Sequence, residues 1–389
     1  MSSIFSRLPR VVLVLGAVSL LNDIASEMIM PLLPVFLTTV LGAGPAALGL
    51  IEGVADATAS LMKLGVGIVA DRTGHRRRFV RTGYSVSNVA RPVIAFASAW
   101  TAVLGLRFVD RVGKGIRTAP RDAMIAGSVS EARRGTAFGY HRAMDHAGAS
   151  VGPILAFILL SAGWEIRDVI LASVVPGILV VLLVFTGLGR APSRAPASER
   201  KFRITDLPPE ARRLILAAAG VTFATVPDAL LIFWAFGTGL SVPTIPLLWA
   251  AAHVGRSLST AWVGRLSDRF GRRRVTITGW AARVVMLVLL ATLGATSVSV
   301  WPLFIVFTAV AACTEAVERA WISGLAPEQW RATFFGSYHM VVGLAVLPGS
   351  ALLGIVWETW GASEAFVLSA ALTGVFALLL GRLAYKLPR

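Results

Sequence analysis

Cysteine is almost missing from this sequence. The one present, Cys313, rules out an intrachain disulfide, and its apolar surroundings mark it as a small packing residue. Charge is scarce as well: Asp, Glu, Lys and Arg make up 15% of the 389 residues, against about 25% in a soluble domain. Acidic residues are scarcer than basic ones, 21 against 37, which gives a formal net charge of +16. The chain has no phosphate-binding loop, no metal-ligand spacing and no nucleophile–base signature. ATP hydrolysis, a metal site and enzymatic catalysis are therefore not expected, nor is any cofactor. What fills the chain is apolar. Hydrophobic residues reach 56% and the mean hydropathy is +0.72, the composition of a membrane protein.

The apolar residues form twelve stretches, roughly 10–40, 46–70, 79–99, 100–122, 135–161, 167–188, 212–238, 244–266, 275–296, 300–323, 332–357 and 363–384. Each approaches the ~20 residues that an α-helix needs to cross a bilayer. The first is too long for a cleavable signal peptide, and it runs on through Asp23 to Pro34. Basic residues crowd every second loop: Arg7 and Arg10; Arg72, Arg76, Arg77, Arg78 and Arg81; Arg133 and Arg134; Arg190 to Arg213; Arg269 and Arg272 to Arg274; Arg382, Lys386 and Arg389. The alternate loops are nearly free of base. That asymmetry places both termini in the cytoplasm of a multi-pass inner (plasma) membrane protein. A nucleic-acid binder would gather its bases on one face instead, so no nucleic acid is expected as a partner. The longest polar break is rich in Pro, Ser and Arg. It divides an N-terminal six-helix bundle, 1–188, from a C-terminal one, 212–389, with a cytoplasmic linker at 189–211. Pro208, Pro209 and Glu210 could begin a short interfacial helix ahead of span 7.

The halves repeat. GIVADRTGHRRR from Gly67 recurs as GRLSDRFGRRR from Gly264, and an offset of 197 relates Gly67/Gly264, Asp71/Asp268, Arg72/Arg269 and Gly74/Gly271. The same offset holds for Ala123/Ala320, Ile125/Ile322, Gly127/Gly324, Arg134/Arg331, Phe138/Phe335 and Gly152/Gly349. An even number of spans per unit makes the repeats parallel. On these residues the chain resembles the major facilitator superfamily, over its whole length. The resemblance implies an all-α integral membrane fold, with twelve transmembrane helices in two six-helix bundles. It implies alternating access to a central cavity, and it assigns the repeated loop (Gly67, Asp71, Arg72, Gly74, Arg77; Gly264, Asp268, Arg269, Gly271) a latching role on the inner side. The other reading of the basic cluster is that it sets topology.

Two further motifs match in part. In RVGKGIR, Arg111 and Gly115 fall where the family has them, while Lys114 and Arg117 replace an amide and a glycine. The family's association of that arginine with proton-coupled transport carries over to Arg111 alone. GASVGP (Gly148 to Pro153) resembles the family's antiporter motif without its second glycine pair, and small residues four apart allow close helix contact. NDIASEM with DRVGKGIRTAPRDA looks like a prokaryotic subgroup of that superfamily, of unassigned substrate.

Span 4 carries the densest charge. Arg107, Asp110, Arg111, Lys114 and Arg121 fall on one helical stripe, with Arg117 at its edge. Ionisable groups at bilayer depth face a bundle interior or a watery cavity and are functional candidates. Across spans 1 to 5, acids (Asp23, Glu27, Glu52, Asp56, Asp110, Asp122, Asp145) nearly balance bases (Lys63, Arg91, Arg107, Arg111, Lys114, Arg117, Arg121, Arg142). One reading of each charge is an ion pair that fixes helix register, for example Arg107 with Asp110 or Arg121 with Asp122. Two functional readings are compatible with the set. The bases receive an anion, for which Arg111, Lys114, Arg91 and Arg142 are the candidates, with Trp249 and Trp321 offering an apolar wall. The carboxylates Asp23, Glu27, Asp56 and Asp145 exchange protons, since burial disfavours a carboxylate's charged form and a neighbouring guanidinium favours it. His141 and His146 read first as hydrogen-bonded helix residues.

The reading is a monomeric secondary transporter for a small organic solute, anionic and proton-coupled, whose partners are that solute, protons and the lipid bilayer. Broad-specificity drug/proton antiport is the alternative transporter reading. A non-transporting membrane sensor or intramembrane enzyme would call for an added soluble domain or a nucleophile–base pair, and neither is visible.

Overall fold

The computed structural model describes residues 8–130, 133–188, 209–325 and 331–385; the side chains of Asp71 and Arg72, and residues 189–208 of the expected linker, lie outside the described residues. The described chain is α-helical. In order, the helices are α1 (Arg10–Glu27), α2 (Pro45–Thr73), α3 (Arg76–Val93), α4 (Trp100–Gly127), α5 (Arg134–Ser161), α6 (Ile166–Ala172), α7 (Val174–Gly187), α8 (Pro209–Phe223), α9 (Asp228–Gly237), α10 (Thr244–Phe270), α11 (Arg272–Thr292), α12 (Val300–Leu325), α13 (Arg331–Trp360) and α14 (Ala362–Tyr385). Each of the twelve apolar stretches of the sequence corresponds to one helix or to a broken pair. This is the twelve-helix architecture expected.

The breaks have local causes. Pro31 and Pro34 end α1 at Glu27; turns bridge to a short helix, Leu33–Val35, and then to a π-helical turn, Phe36–Val40. In span 7, Pro227 starts α9 and leaves carbonyls of α8 without the usual helical donors. The Ala224 carbonyl is satisfied instead by the Ser369 hydroxyl of α14, at 2.5 Å. Such repair is what makes a broken helix tolerable in hydrocarbon. Pro209 opens α8, which continues directly into span 7, so no separate interfacial helix forms among the described residues.

Among the described residues, seven stretches are long and apolar enough to cross a membrane by length and composition, namely α5, α6–α7, α8–α9, α11 and the apolar parts of α12, α13 and α14. Outward stripes support the same conclusion. Val151, Ile154, Leu155 and Ile158 on α5, and Val175, Ile178, Leu179 and Leu182 on α7, recur at helical spacing and are exposed. Apolar ridges of that kind are out of place in water and suited to lipid.

The chain divides into two compact units, residues 1–36, 58–199 and 242–250 forming one and 37–57, 200–241 and 251–389 the other. In the first, α1 packs on α5 and α7, and α3 packs on α4 and α7. In the second, α8 packs on α13 and α14, and α11 on α12 and α14. Helix by helix these are equivalent pairs, so the sequence offset of 197 is also a repeat of packing. The first core gathers Val12, Leu15 and Val18 with Val80, Tyr84, Ile125 and Val184. The second gathers Leu214, Ala218 and Val221 with Trp280, Trp321 and Tyr338.

Candidate functional site: a buried charge network

Glycines bring the charged helices of the first unit into backbone contact. A Cβ at Gly113 of α4 would lie 2.7 Å from the Gly83 carbonyl oxygen of α3. On the other side of the bundle, a Cβ at Gly148 would lie 2.9 Å from the Asp23 Cβ, and one at Gly152 would lie 2.7 Å from the Ile24 carbonyl oxygen and 3.0 Å from the Glu27 Cβ. The GASVGP motif is thus the seam along which α5 meets α1, and both acids of span 1 sit on it. Gly349, the repeat partner of Gly152, abuts Phe223 of α8 in the second unit: a Cβ there would lie 2.7 Å from the Phe223 carbonyl carbon. Packing this close leaves no space for a side chain at any of these positions.

Asp110 is the hub of the α3–α4 contact. Arg91 donates from Nε to Asp110 Oδ1 at 2.9 Å and from Nη1 to the Asn22 carbonyl at 3.2 Å and Oδ1 at 3.1 Å. Arg107 Nη1 lies 3.7 Å from Asp110 Oδ2, and the Ser87 hydroxyl donates to the Asp110 carbonyl at 2.9 Å. Asn88 Nδ2 donates to Asn22 Oδ1 at 3.3 Å. Arg111 is buried and Lys114 half-buried on the same helix. Arg117 places its guanidinium 4.4 Å from the Tyr84 ring centroid, a cation–π contact, and its Nε and Nη1 find no hydrogen-bond partner among the described residues. Of the register pairs read from the sequence, Arg107 with Asp110 and Arg121 with Asp122 (2.9 Å) both form.

A second group lies along the α1–α5 seam. Asp145 accepts from the Ser19 hydroxyl, has His141 Nδ1 at 3.4 Å and has Arg142 Nη1 at 3.8 Å. Asp23 accepts from Asn22 Nδ2 at 3.0 Å. Asn22 therefore joins the two groups, touching Arg91 with its oxygens and Asp23 with its amide. Glu27 accepts from Trp249 Nε1 at 2.9 Å, so Trp249 enters as a hydrogen-bond donor as well as an apolar surface.

Arg142 is largely exposed, Asp56 is exposed, and Trp321 is buried in the second unit against Trp280 and Tyr338. The loop motif shows one repeated conformation: Gly74 and Gly271 both take positive φ, +68° and +88°, and each donates back, to Ala70 and Ser267 carbonyls, at 3.0 Å. That left-handed closure favours glycine and explains the glycine in both copies. Gly67 and Gly264 are both partly buried, Arg77 is half-buried, and Asp268 and Arg269 are exposed, with the Arg269 guanidinium 5.4 Å from the Phe270 ring centroid. In the second unit, Arg256 Nη2 pairs with Asp228 at 2.9 Å, and Trp280 Nε1 donates to Glu318 Oε1 at 2.5 Å. No group of His, Cys, Asp and Glu able to hold a metal ion occurs among the described residues.

Apolar outer faces around polar, glycine-tightened interiors define a multi-pass helical membrane protein that keeps charge inside its bundles. Comparison with known proteins gives the family. The Major Facilitator Superfamily model matches residues 15–252 and 214–389. An uncharacterized MFS-type transporter of Methanocaldococcus jannaschii is 31% identical over 355 residues, covering 89% of this chain and 88% of that protein. A class G tetracycline resistance protein of Vibrio anguillarum is 30% identical over 171 residues, covering 39% of this chain and 42% of that protein. The crystal structure of a bacterial homologue of the human lysosomal transporter Spinster, inward-facing and occupied, aligns with a TM-score of 0.77 at 15% identity, over 97% of each chain. The chain belongs to the major facilitator superfamily and is a membrane transporter of that family, not an enzyme.

Proposed function

We propose that this transporter moves a small organic anion across the inner membrane by proton-coupled alternating access. One observation carries the reading. Four arginines of the first unit, Arg91, Arg107, Arg111 and Arg117, are buried, and Asp110 is the one buried carboxylate described among them. Buried positive charge in excess is costly unless something answers it. Guanidinium groups answer best to carboxylate or phosphate, which they bind with paired hydrogen bonds. Asp23, Glu27 and Asp145 supply partly compensating charge from the α1–α5 seam, which is where a proton would compete with substrate. In this reading Arg111 and Lys114 meet the anion. Arg91 holds the network through Asp110 and Asn22, and Trp249 reports on Glu27. Two bundles, 1–188 and 212–389, joined by the cytoplasmic linker 189–211, move as a monomer with both termini cytoplasmic, latched on the inner side by the loops at Asp71 and Asp268.

A second reading, drug/proton antiport, draws support from the tetracycline resistance relative and from the partial GASVGP motif. One experiment separates them: uptake into proteoliposomes under an imposed pH gradient, screened over organic anions and cationic drugs. Anion flux that follows the gradient, with binding abolished in well-folded Arg111→Gln and Lys114→Gln, supports the first. Flux confined to cations supports the second, and a transported solute that ignores the gradient removes proton coupling from both.

A further inference from the structure

Span 7 breaks where span 1 breaks. α1 ends at Glu27 and α8 at Phe223, and the offset of 197 carries Glu27 to Ala224, so the break belongs to the repeated fold. What stands at the second break has no counterpart at the first. Asp228 opens α9 directly after Pro227, and Arg256 of α10 grips it. Arg256 Nη2 donates to Asp228 Oδ1 at 2.9 Å and Nη1 to Oδ2 at 3.4 Å, the two-pronged pairing of guanidinium with carboxylate. The offset relates Asp228 to Pro31 and Arg256 to Ala59. The first unit makes the same break with neither charge, so the packing of the fold does not require the pair.

The pair is deep in the span and open to water. Asp228 lies nine residues from the end of α9 at Gly237, and Arg256 lies twelve from the start of α10 at Thr244. At ~1.5 Å per residue those are ~14 Å and ~18 Å, near the middle of a hydrocarbon core ~30 Å thick. The Asp228 side chain is nevertheless 44% exposed and that of Arg256 22%. An ionised group at this depth faces a watery space rather than hydrocarbon. Water, and with it protons, therefore reaches the carboxylate. Other charges face the pair from its neighbours. His253 lies one turn from Arg256 on α10, and Arg283 of α11 lies within electrostatic range of Asp228 and of Glu315 and Glu318 on α12.

We infer that Asp228 and Arg256 form a proton-operated clasp across the span 7 break. A proton passing from water to an Asp228 oxygen turns the carboxylate into a carboxylic acid. Arg256 stays a guanidinium and loses its anionic partner. The charge-assisted grip between the start of α9 and α10 is then gone, and the break, already interrupted as a helix, is free to flex. Loss of the proton to water closes the clasp again. This rests on the proton-coupled reading above and adds a proton site that it did not contain.

The test is hydrogen–deuterium exchange of the full-length purified protein in detergent, followed in the backbone of residues 222–232. The wild type, Asp228→Asn and Arg256→Gln are compared from about pH 8 down to about pH 4. Dividing each variant's rate by that of the wild type at the same pH cancels the intrinsic pH dependence of exchange. With the clasp shut at high pH, both variants exchange about threefold faster or more, the worth of a partly exposed ion pair. On acidification the wild type opens its own clasp, and both ratios fall toward one. Ratios near one throughout overturn the clasp. Ratios above one that do not change with pH leave a structural ion pair and overturn the role of the proton. Each variant removes a different half of the pair, so a folding defect in one leaves the other to decide. The exchange measurement needs no solute, so its failure is distinct from failure of the coupling reading, which falls if wild-type flux in proteoliposomes ignores the pH gradient. Gradient-driven flux in Asp228→Asn equal to that of the wild type overturns the part of the clasp in coupling.

Discussion

Replacing Asp110 by Asn removes the one carboxylate on which Arg91 and Arg107 converge while keeping the shape of the side chain. Arg91 loses a charge-assisted bond of 2.9 Å and Arg107 a partner at 3.7 Å, and both guanidinium groups stay buried. Breaking a buried ion pair from one side costs about 3–5 kcal/mol. Here the lower end applies, because Arg91 Nη1 is still held by the Asn22 carbonyl and side-chain oxygen at 3.2 and 3.1 Å. A change of 1 kcal/mol moves the melting temperature of a 150–250-residue domain by about 2–4 °C, so about 3 kcal/mol predicts a fall of roughly 6–12 °C. The assay is fluorescence-detected size exclusion of detergent-solubilised protein after heating at a fixed rate, since unfolding of such a chain is read as a rate. The double variant Asp110→Asn, Arg91→Gln should melt above the single one, because it removes the stranded charge together with its lost partner. An Asp110→Asn protein that melts like the wild type would refute the hub, and so would a double variant whose losses simply add.

Three other predictions follow from the packing. Gly152→Val drives a side chain into the Ile24 carbonyl and the Glu27 Cβ and should cost about 1–3 kcal/mol or more; Gly139→Ala, whose Cβ meets nothing within 4 Å, should stay within about 0.5 kcal/mol by the same melting assay. Gly74→Ala or Gly271→Ala places a Cβ on a residue with φ of +68° or +88° and should cost about 1–2 kcal/mol each, with Gly264→Ala as the neutral comparison. Ser369→Ala strands the Ala224 carbonyl at the α8–α9 break, and a loss of about 1–3 kcal/mol is expected, restored in part by Ser369→Thr.

Much of the architecture was legible in the residues. The offset of 197 between Gly67 and Gly264 announced that the halves repeat, and the paired contacts α1–α5 with α8–α13 and α3–α4 with α11–α12 follow from it. Helical periodicity put the span 4 charges on one stripe, and neighbours in sequence gave the Arg107–Asp110 and Arg121–Asp122 pairs directly. Partners distant in sequence were not legible. Nothing in the spacing of Arg91 indicates that it would bridge Asp110 and Asn22, because helix packing decides which stripes face each other. Asn22 carries no charge and raises no signal in a search for ionisable groups, yet it connects Arg91 to Asp23. Pro227 passed as an ordinary residue inside span 7, although a proline at that place breaks the helix. Asp56 shared the helical face of Glu52, and periodicity alone does not say which of the two the neighbouring helices cover.

The glycine seam between α1 and α5 has a consequence for solvent. Where two helix backbones touch, no column of water fits between them. Asp23 and Glu27 have their Cβ atoms against that contact, so the α5 side of α1 is closed to hydration at their level. Asn22, next to Asp23 in sequence, bonds it and reaches Arg91, whereas Glu27 is held by Trp249. The seam therefore acts as a dam as well as a joint, closing the α5 side of α1 at the level of both acids.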